Sequence, residues 1–363
     1  MTRGDGLEVA VDEGRSSARD RPIFVVGSGR SGTDLLQSLL GAHPRIAALP
    51  EVHFFSRIYD LRDYWGDLND DAVLRRVIAE TVTKPSLARC GFDVDALVAS
   101  ARLRPRTYAD VLDAVMSDFT KREGKARWSE KSPLQTVTTI WQAFPDAQIV
   151  HIVRDPRDSI PSTLAKTSVW DDATVAAHHW RAFTALNIEH GTRRGLGQYF
   201  RIRYEDLAQD AVAVMRTVFS FLNEDFDPLI VTDVERRRAT IRSQNLRNER
   251  VLEPIEATNM SSSRELVSRR ELLRIEAAVA RLLPTLGYDV PSWSAVAAGR
   301  MFNLLSLPRV FVGMFNVTVA PRFRSPRRRY ELHQQRTRRA TELLHQKATR
   351  LRAQQRRRDG TSS

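Results

Sequence analysis

The sequence predicts an α/β protein of three layers, in which helices flank a parallel sheet on both faces. Three strand candidates carry this prediction: residues 23–26 form a continuous apolar run typical of a buried strand, and residues 148–153 and 199–204 are the second and third candidates. Helical sequence precedes the second and third segments, and strands that alternate with helices form parallel sheets through right-handed crossovers. We expect the ligand site of such a sheet at the carboxyl ends of its strands.

The first strand leads into a Gly- and Ser-rich turn and then into a helix whose apolar face carries four leucines. The start of a helix attracts anions, because its first N–H groups lack partners within the helix and its dipole is positive there. Arg30 adds a cation to this turn. The sequence therefore predicts a P-loop-like phosphate cradle at residues 27–34.

The separation of Gly27 and Gly32 is that of the P-loop that binds nucleotide triphosphates. That loop continues with a Lys and a magnesium-binding hydroxyl, whereas this chain has Thr33 and Asp34 at those positions. The absence of that Lys and of the magnesium-binding hydroxyl favours a phosphate ligand that is bound without a metal. A P-loop small-molecule kinase, the alternative enzyme, requires the two residues that are missing.

A second phosphate motif begins with Arg154 at the end of the second strand and continues to Ser162, eight residues later. A guanidinium binds phosphate through a forked contact and a hydroxyl adds a directed hydrogen bond, so the pair can hold one phosphate from two sides. Lys166 lies one helical turn beyond Ser162 and adds positive charge.

These motifs resemble those of the sulfotransferases that use 3′-phosphoadenosine 5′-phosphosulfate (PAPS), in particular the bacterial, tyrosylprotein-sulfotransferase-like branch. Residues 29–33 resemble the family's Pro-Arg-Ser-Gly-Thr-Thr loop and depart from it at the residue before Arg30 and at Asp34. Arg154 and Ser162 match the family's Arg and Ser that bind the 3′-phosphate. The resemblance covers about residues 22–293 and implies transfer of a sulfuryl group to a hydroxyl acceptor, with PAPS as cosubstrate and no metal.

The resemblance also implies the roles of individual residues. Lys131 fits the Lys that lies near the transferring group, where an ammonium lowers the barrier by stabilising spread negative charge. Glu51 fits the catalytic base beyond the phosphate loop, and His53 is the competing base because its ordinary pKa is closer to neutral. The residues expected to bind the nucleotide are Gly29, Arg30, Ser31, Gly32, Thr33, Asp34, Arg154, Ser162, Lys166 and Tyr204.

Asp34 is the residue that fits the resemblance least, since relatives have Thr or Ser there. A carboxylate beside a phosphate repels it. Either Asp34 turns away to pair with a cation such as Arg30, or the affinity for nucleotide is reduced. A catalytically impaired sulfotransferase-like protein that acts through its basic tail is the non-enzyme alternative that Asp34 favours.

The chain has 363 residues and a formal net charge of +12, and the excess lies at its C-terminal end. Residues 322–358 carry 14 Lys and Arg against 2 Asp and Glu, so the rest of the chain is balanced. We expect disorder over 1–21, the sulfotransferase domain over 22–292, and an apolar, then polybasic and helical, extension over 293–363. The single cysteine, Cys90, excludes an internal disulfide framework.

Partners follow from the same features. We expect a hydroxyl-bearing acceptor, which can be a lipid, a glycan, a peptide or a small molecule. We also expect a cytoplasmic protein whose C-terminal extension can bind the anionic surface at the inner face of the membrane. Nucleic acid is disfavoured, because the basic tail has one aromatic residue, Tyr330, for base stacking. The side chains expected to enter the membrane are Phe302, Leu304, Leu305, Val310, Phe311, Met314 and Phe315.

Overall fold

The fold is given by a computed structural model of the chain. It describes residues 20–49, 51–83, 87, 90–132, 135–166, 172–238 and 263–304, together with scattered positions between 308 and 342. Most of the two terminal segments that the sequence assigns to disorder and to a basic helix, 1–21 and 327–358, lies outside the described residues.

A sheet of five parallel strands forms the centre of the described fold. Its strands are β1 (Ile23–Val26), β2 (Ile46–Ala48), β3 (Arg127–Lys131), β4 (Gln148–Val153) and β5 (Tyr199–Arg203), in the spatial order β2-β3-β1-β4-β5. Every neighbouring pair is parallel. The predicted parallel α/β sheet is confirmed, and β1, which leads into the predicted cradle, is its central strand.

Helices cover the sheet. In chain order they are α1 (Thr33–Gly41), α2 (Phe54–Arg57), α3 (Arg62–Trp65), α4 (Asp71–Val82), α5 (Val94–Arg102), α6 (Tyr108–Arg122), α7 (Val137–Ala143), α8 (Pro156–Lys166), α9 (Ala173–Arg194), α10 (Tyr204–Gln209), α11 (Ala211–Leu222), α12 (Leu229–Thr232), α13 (Arg269–Val279) and α14 (Trp293–Leu304). Short 3-10 helices span Tyr59–Leu61, Arg264–Leu266 and Pro284–Leu286. Local sequence explains several of the helix starts, since the Thr107 hydroxyl accepts from the Asp110 N–H in a capping box before α6.

β1 separates two hydrophobic cores because its successive side chains point to opposite faces of the sheet. Phe24 and Val26 pack into the core beneath α2 to α7, where Phe24 contacts Trp128 edge to face. Ile23 and Val25 pack into a second core with residues of α1 and α11. All four residues of β1 are fully buried, as its continuous apolar sequence predicts.

Two strands were not predicted from the sequence. β2 has three residues, too few for a periodic signal, and β3 reads Arg-Trp-Ser-Glu-Lys, which looks like a polar turn although all five residues are buried. Residues 264–286 are divided between two 3-10 helices and α13. Ser268 and Glu271 form a capping box that starts α13, and a 3-10 turn that begins at Pro284 follows it.

Candidate active site

The predicted cradle joins β1 to α1 at the centre of the sheet. Gly32 is the N-cap of α1 and has φ +96°, so the helix begins without a capping side chain. A Cβ at Gly32 would overlap the Tyr204 ring, and a Cβ at Gly27 would lie 2.7 Å from the carbonyl oxygen of Ile152. Glycine at both positions lets the backbone pass close to its neighbours, which leaves the first N–H groups of α1 facing the carboxyl edge of the sheet.

Replacing Gly32 by alanine tests whether this turn needs glycine. We expect Gly32→Ala to lower the free energy of unfolding by about 2–4 kcal/mol, because the left-handed backbone and the overlap with Tyr204 both oppose a side chain. Gly124 is the matched control, since it has φ +65° and no atom within 4 Å of an added Cβ. Urea unfolding followed by circular dichroism should give a loss of only about 1 kcal/mol for Gly124→Ala. Equal losses for the two variants would contradict the close approach.

The first turn of the cradle and the start of α8 bring the two predicted phosphate motifs together. The Arg30 Nε donates to the Ser162 hydroxyl at 3.4 Å, and the Arg154 Nη1 donates to the Arg30 carbonyl oxygen at 3.3 Å. The Arg154 guanidinium also lies over the Tyr204 ring, with Cζ 4.4 Å from the ring centroid. Four of the residues expected to bind nucleotide are thus in one contact network, although 174 positions separate Arg30 from Tyr204 in the sequence.

The second group of candidate residues forms a chain of ionic contacts beside the cradle. The Lys131 Nζ pairs with the Asp34 carboxylate and lies 3.3 Å from the Glu51 Oε2. The other Glu51 oxygen is 2.9 Å from the His53 Nδ1. Asp34 therefore has Lys131 as its cation, whereas Arg30, the partner considered from sequence, bonds to Ser162.

The opposite charges in this chain of contacts stabilise the ionised forms of Glu51 and Lys131. Burial raises the pKa of Glu51, but the hydrogen bond from His53 and the charge of Lys131 outweigh it, so the pKa lies below its ordinary value. Burial lowers the pKa of Lys131, but Glu51 and Asp34 outweigh it and the pKa is raised. Near neutral pH Glu51 is consequently a carboxylate able to accept a proton, and Lys131 is an ammonium.

Gln37 positions both catalytic candidates and was missed in the sequence. Its side chain is fully buried on α1, where the Nε2 donates to the carbonyl oxygens of Leu49 at 3.3 Å and Ser129 at 2.9 Å. The Ser129 hydroxyl donates back to the Gln37 Oε1 at 2.8 Å. Leu49 and Ser129 each come two residues before a candidate, Glu51 and Lys131, so this one amide joins the residue after β2 to the middle of β3. An amide within a helix face of leucines was the signal in the sequence.

Thr163 is a second residue that the sequence reasoning missed. Its hydroxyl lies 3.2 Å from the Gly29 carbonyl oxygen and 2.8 Å from the Ser159 carbonyl oxygen, and so ties α8 to the cradle. Its position directly after Ser162 was the available signal. Lys166 ends α8, and its side chain lies outside the described residues.

Glu205, in the first turn of α10, has a structural role. It accepts from the Asp155 N–H at 2.9 Å and from the Tyr288 hydroxyl at 2.8 Å, which joins the ends of β4 and β5 to the segment before α14. Burial and the charge of Glu205 raise the pKa of Tyr288, which keeps this phenol protonated. Arg264 makes a forked contact with Asp158 at 3.0 Å, which ties the segment before α13 to α8.

Every strand end of the sheet contributes to this site. β1 gives the cradle, β2 leads to Glu51, β3 ends at Lys131, β4 ends before Arg154 and β5 ends before Tyr204.

Across the parts of the chain that the structure describes, no group of three or more His, Cys, Asp and Glu side chains is placed to hold a metal ion. None of the described helices is long and apolar enough to cross a membrane.

A parallel sheet whose central strand opens into an anion cradle at the start of a helix defines an α/β protein with a phosphate-binding loop. The chain belongs to the sulfotransferase family, because the model of that family matches residues 22–228. It is similar to protein-tyrosine sulfotransferase of Drosophila melanogaster, with 22% identity over 75% of this chain and 52% of the fly protein. Protein-tyrosine sulfotransferase A of Caenorhabditis elegans is 21% identical over 74% of this chain and 67% of its own length.

The structure is similar to a solved member of the same fold. The sulfotransferase domain from the Synechococcus PCC 7002 olefin synthase superposes with a TM-score of 0.50 and 21% identity, covering 75% of this chain and 96% of that domain. The chain spans about half the length of the fly relative. The family match defines the family, and the superposition confirms the fold.

Proposed function

We propose that this protein is a sulfotransferase that takes the sulfuryl group of PAPS and transfers it to a hydroxyl acceptor. The cradle N–H groups of residues 29–33 with Arg30 hold the 5′-phosphosulfate, and Arg154, Ser162 and Lys166 hold the 3′-phosphate. Tyr204 lies against the Arg154 guanidinium and so borders the nucleotide. The observation that carries the proposal is that the contact network of Arg30, Arg154 and Ser162 and the pair of Lys131 and Glu51 both lie at the carboxyl edge of the sheet.

The reaction follows from the charges in the site. Glu51 removes the proton of the acceptor hydroxyl, and the oxygen attacks sulfur in line with the bond between sulfur and the bridging phosphate oxygen. That bond breaks as the new S–O bond forms, so the products are a sulfate ester and adenosine 3′,5′-bisphosphate. Lys131 stabilises the negative charge that develops on the bridging oxygen, and Arg30 stabilises the charge on the phosphate.

The test of this proposal uses the whole chain and PAPS labelled in its sulfate. We expect saturable binding of adenosine 3′,5′-bisphosphate by titration calorimetry and transfer of label to a component of a lysate of the host. The relatives named protein-tyrosine sulfotransferase make a tyrosine-containing peptide the first defined acceptor to test. A chain that neither binds the bisphosphate nor transfers label would overturn the proposal.

Two other functions are less well supported. A P-loop kinase needs a Lys after Gly32, and Thr33 occupies that position. An impaired protein is favoured by Asp34, but Asp34 pairs with Lys131 in an ionic cluster that also keeps Glu51 ionised. A defect of the cradle therefore has less support than a working arrangement.

A membrane-facing surface is the second part of the proposal. α14 packs on α13 so closely that a side chain at Gly299 would overlap the Leu273 carbonyl oxygen, which fixes the rotation of the helix. Trp293, Met301 and Leu304 lie on its outer face with exposed fractions of 84%, 62% and 65%. The polybasic segment of the chain follows this apolar face and complements anionic lipid.

We expect the double variant Met301→Glu/Leu304→Glu to bind phosphatidylserine vesicles at least about tenfold more weakly than the unaltered chain, because two apolar contacts become repulsive charges. Leu103→Glu/Leu196→Glu is the matched control, since these leucines are 90% and 89% exposed elsewhere on the protein. Vesicle co-sedimentation gives the readout, with phosphatidylcholine vesicles for comparison. Equal binding by both double variants would contradict a docking role for α14.

Phe302 is a weaker candidate for insertion into the membrane than expected from sequence, because the Arg270 guanidinium covers its ring at 4.7 Å.

A further inference from the structure

Asp34 is one of the two residues at which this chain departs from its family's loop, and it is also the second carboxylate on Lys131. The Lys131 side chain is only 10% exposed, and its ammonium lies between Asp34 on α1 and Glu51 beyond β2. Two carboxylates and one ammonium therefore share a confined space beside the cradle. In relatives that have Thr or Ser at this position, a hydroxyl would face the same lysine without a charge.

The geometry explains why a carboxylate is tolerated next to an anion site. Asp34 is in the first turn of α1, where the helix dipole favours a negative charge, and its charge is matched by Lys131. The His53 ring contacts the outer oxygen of Glu51, so Lys131 has only the inner Glu51 oxygen and Asp34 as its anionic contacts in this cluster. Asp34 thus holds the ammonium on the side of the cradle.

We propose that Asp34 is a positioning residue, which holds the Lys131 ammonium at the cradle and prevents it from pairing with Glu51 alone. This inference rests on the proposed sulfuryl transfer. Without Asp34, Lys131 would be drawn to Glu51, the base would be neutralised more strongly, and the ammonium would leave the bridging oxygen of the cosubstrate. The same carboxylate repels the nucleotide phosphate, so Asp34 favours turnover at the expense of nucleotide affinity.

The expected signature is a split between turnover and binding. We expect Asp34→Asn to lower kcat about 10- to 100-fold, since misplacing one catalytic group by about 1 Å has an effect of this size. The same variant should bind adenosine 3′,5′-bisphosphate about fivefold more tightly, because one like charge is removed from the cradle. Asp34→Glu keeps the charge and should recover part of kcat. A purely structural role would weaken binding and turnover together.

A double-mutant cycle shows whether Asp34 acts through Lys131. We expect Asp34→Asn to have little further effect on kcat in a Lys131→Met background, because the group that it positions is already gone. Asp71→Asn is the matched control, since Asp71 pairs with Arg102 and Arg106 on an exposed surface and should leave both quantities unchanged. Circular dichroism and thermal unfolding verify that each variant is folded.

Two results would overturn the inference. One is an unchanged or higher kcat for Asp34→Asn, and the other is an equal loss of kcat with and without Lys131. Failure of the proposed function looks different, because the unaltered chain would then bind no bisphosphate and transfer no label.

Discussion

Glu51→Gln is expected to lower the rate of sulfuryl transfer by about 10²- to 10⁴-fold while leaving the affinity for adenosine 3′,5′-bisphosphate within about twofold of the unaltered chain. Glutamine keeps the size of the side chain and its contact with Lys131, but it cannot take up the proton of the acceptor. Initial rates with labelled PAPS and calorimetry with the bisphosphate measure the two quantities. Parallel losses of rate and of nucleotide affinity would mean that Glu51 supports the cradle instead of acting as the base.

His53 gives the contrast that identifies the base. If Glu51 is the base, His53→Gln lowers the rate only modestly, because a weaker hydrogen bond to Glu51 remains, whereas a severe loss would make His53 the base. The pH profile adds a second criterion. Activity requires ionised Glu51, so it falls as the pH drops through the pKa of Glu51, which is lowered in the folded protein. Loss of the His53 hydrogen bond raises that pKa, and the acidic limb of the profile should move to higher pH.

Arg154→Ala is expected to weaken binding of adenosine 3′,5′-bisphosphate about 10- to 150-fold, the range for loss of a charged hydrogen-bonding group. Arg154 lies between the Arg30 carbonyl oxygen and the Tyr204 ring, which aims its guanidinium at the carboxyl edge of the sheet. Adenosine 5′-phosphate, which lacks the 3′-phosphate, should bind the variant and the unaltered chain equally. A comparable loss for both nucleotides would contradict assignment of Arg154 to the 3′-phosphate.

Arg193→Ala is the control for net charge in this experiment. Arg193 is exposed near the end of α9 and pairs with Glu189, and α9 leads into the amino end of β5, so its removal changes the total charge by the same amount without touching the carboxyl ends of the strands. Nucleotide affinity should be unchanged. Ser162→Ala should give a smaller loss than Arg154→Ala, because a neutral hydrogen bond contributes less than a charged one.

Local sequence was sufficient to predict a strand where the residues of that strand alone carry the apolar pattern. β1 is a continuous apolar run and β4 is apolar except at Gln148 and His151, and the structure confirms both with the predicted bounds. β5 ends at Arg203, one residue before the predicted end. β3 could not be found in this way, since the Arg127 guanidinium is buried only because Glu224, Gln148 and two carbonyl groups from other segments receive it. Burial lowers the pKa of Arg127 to about 10, and its partners lie 21 to 106 residues away in the sequence.

The candidate site shows the same division. The cradle could be predicted because a strand, a glycine turn and a helix start are adjacent in the chain. The separation of eight residues between Arg154 and Ser162 also indicated that pair. The partner of Asp34 was not readable, since Lys131 is 97 residues away and enters the site on a strand that the sequence did not reveal. Gln37 was overlooked for the same reason, because it bonds to Leu49 after β2 and to Ser129 within β3, and β3 was not predicted.

The sequence by itself determined the parallel α/β class, the phosphate cradle, the family resemblance and the concentration of positive charge at the C-terminal end. These features depend on residues that are neighbours in the chain or repeat at a fixed spacing. Only the tertiary structure decided that Lys131 lies between Asp34 and Glu51, that His53 contacts Glu51, and that α14 turns its apolar face outward. Those contacts depend on the strand order β2-β3-β1, in which hydrogen bonds between distant segments set which charges meet.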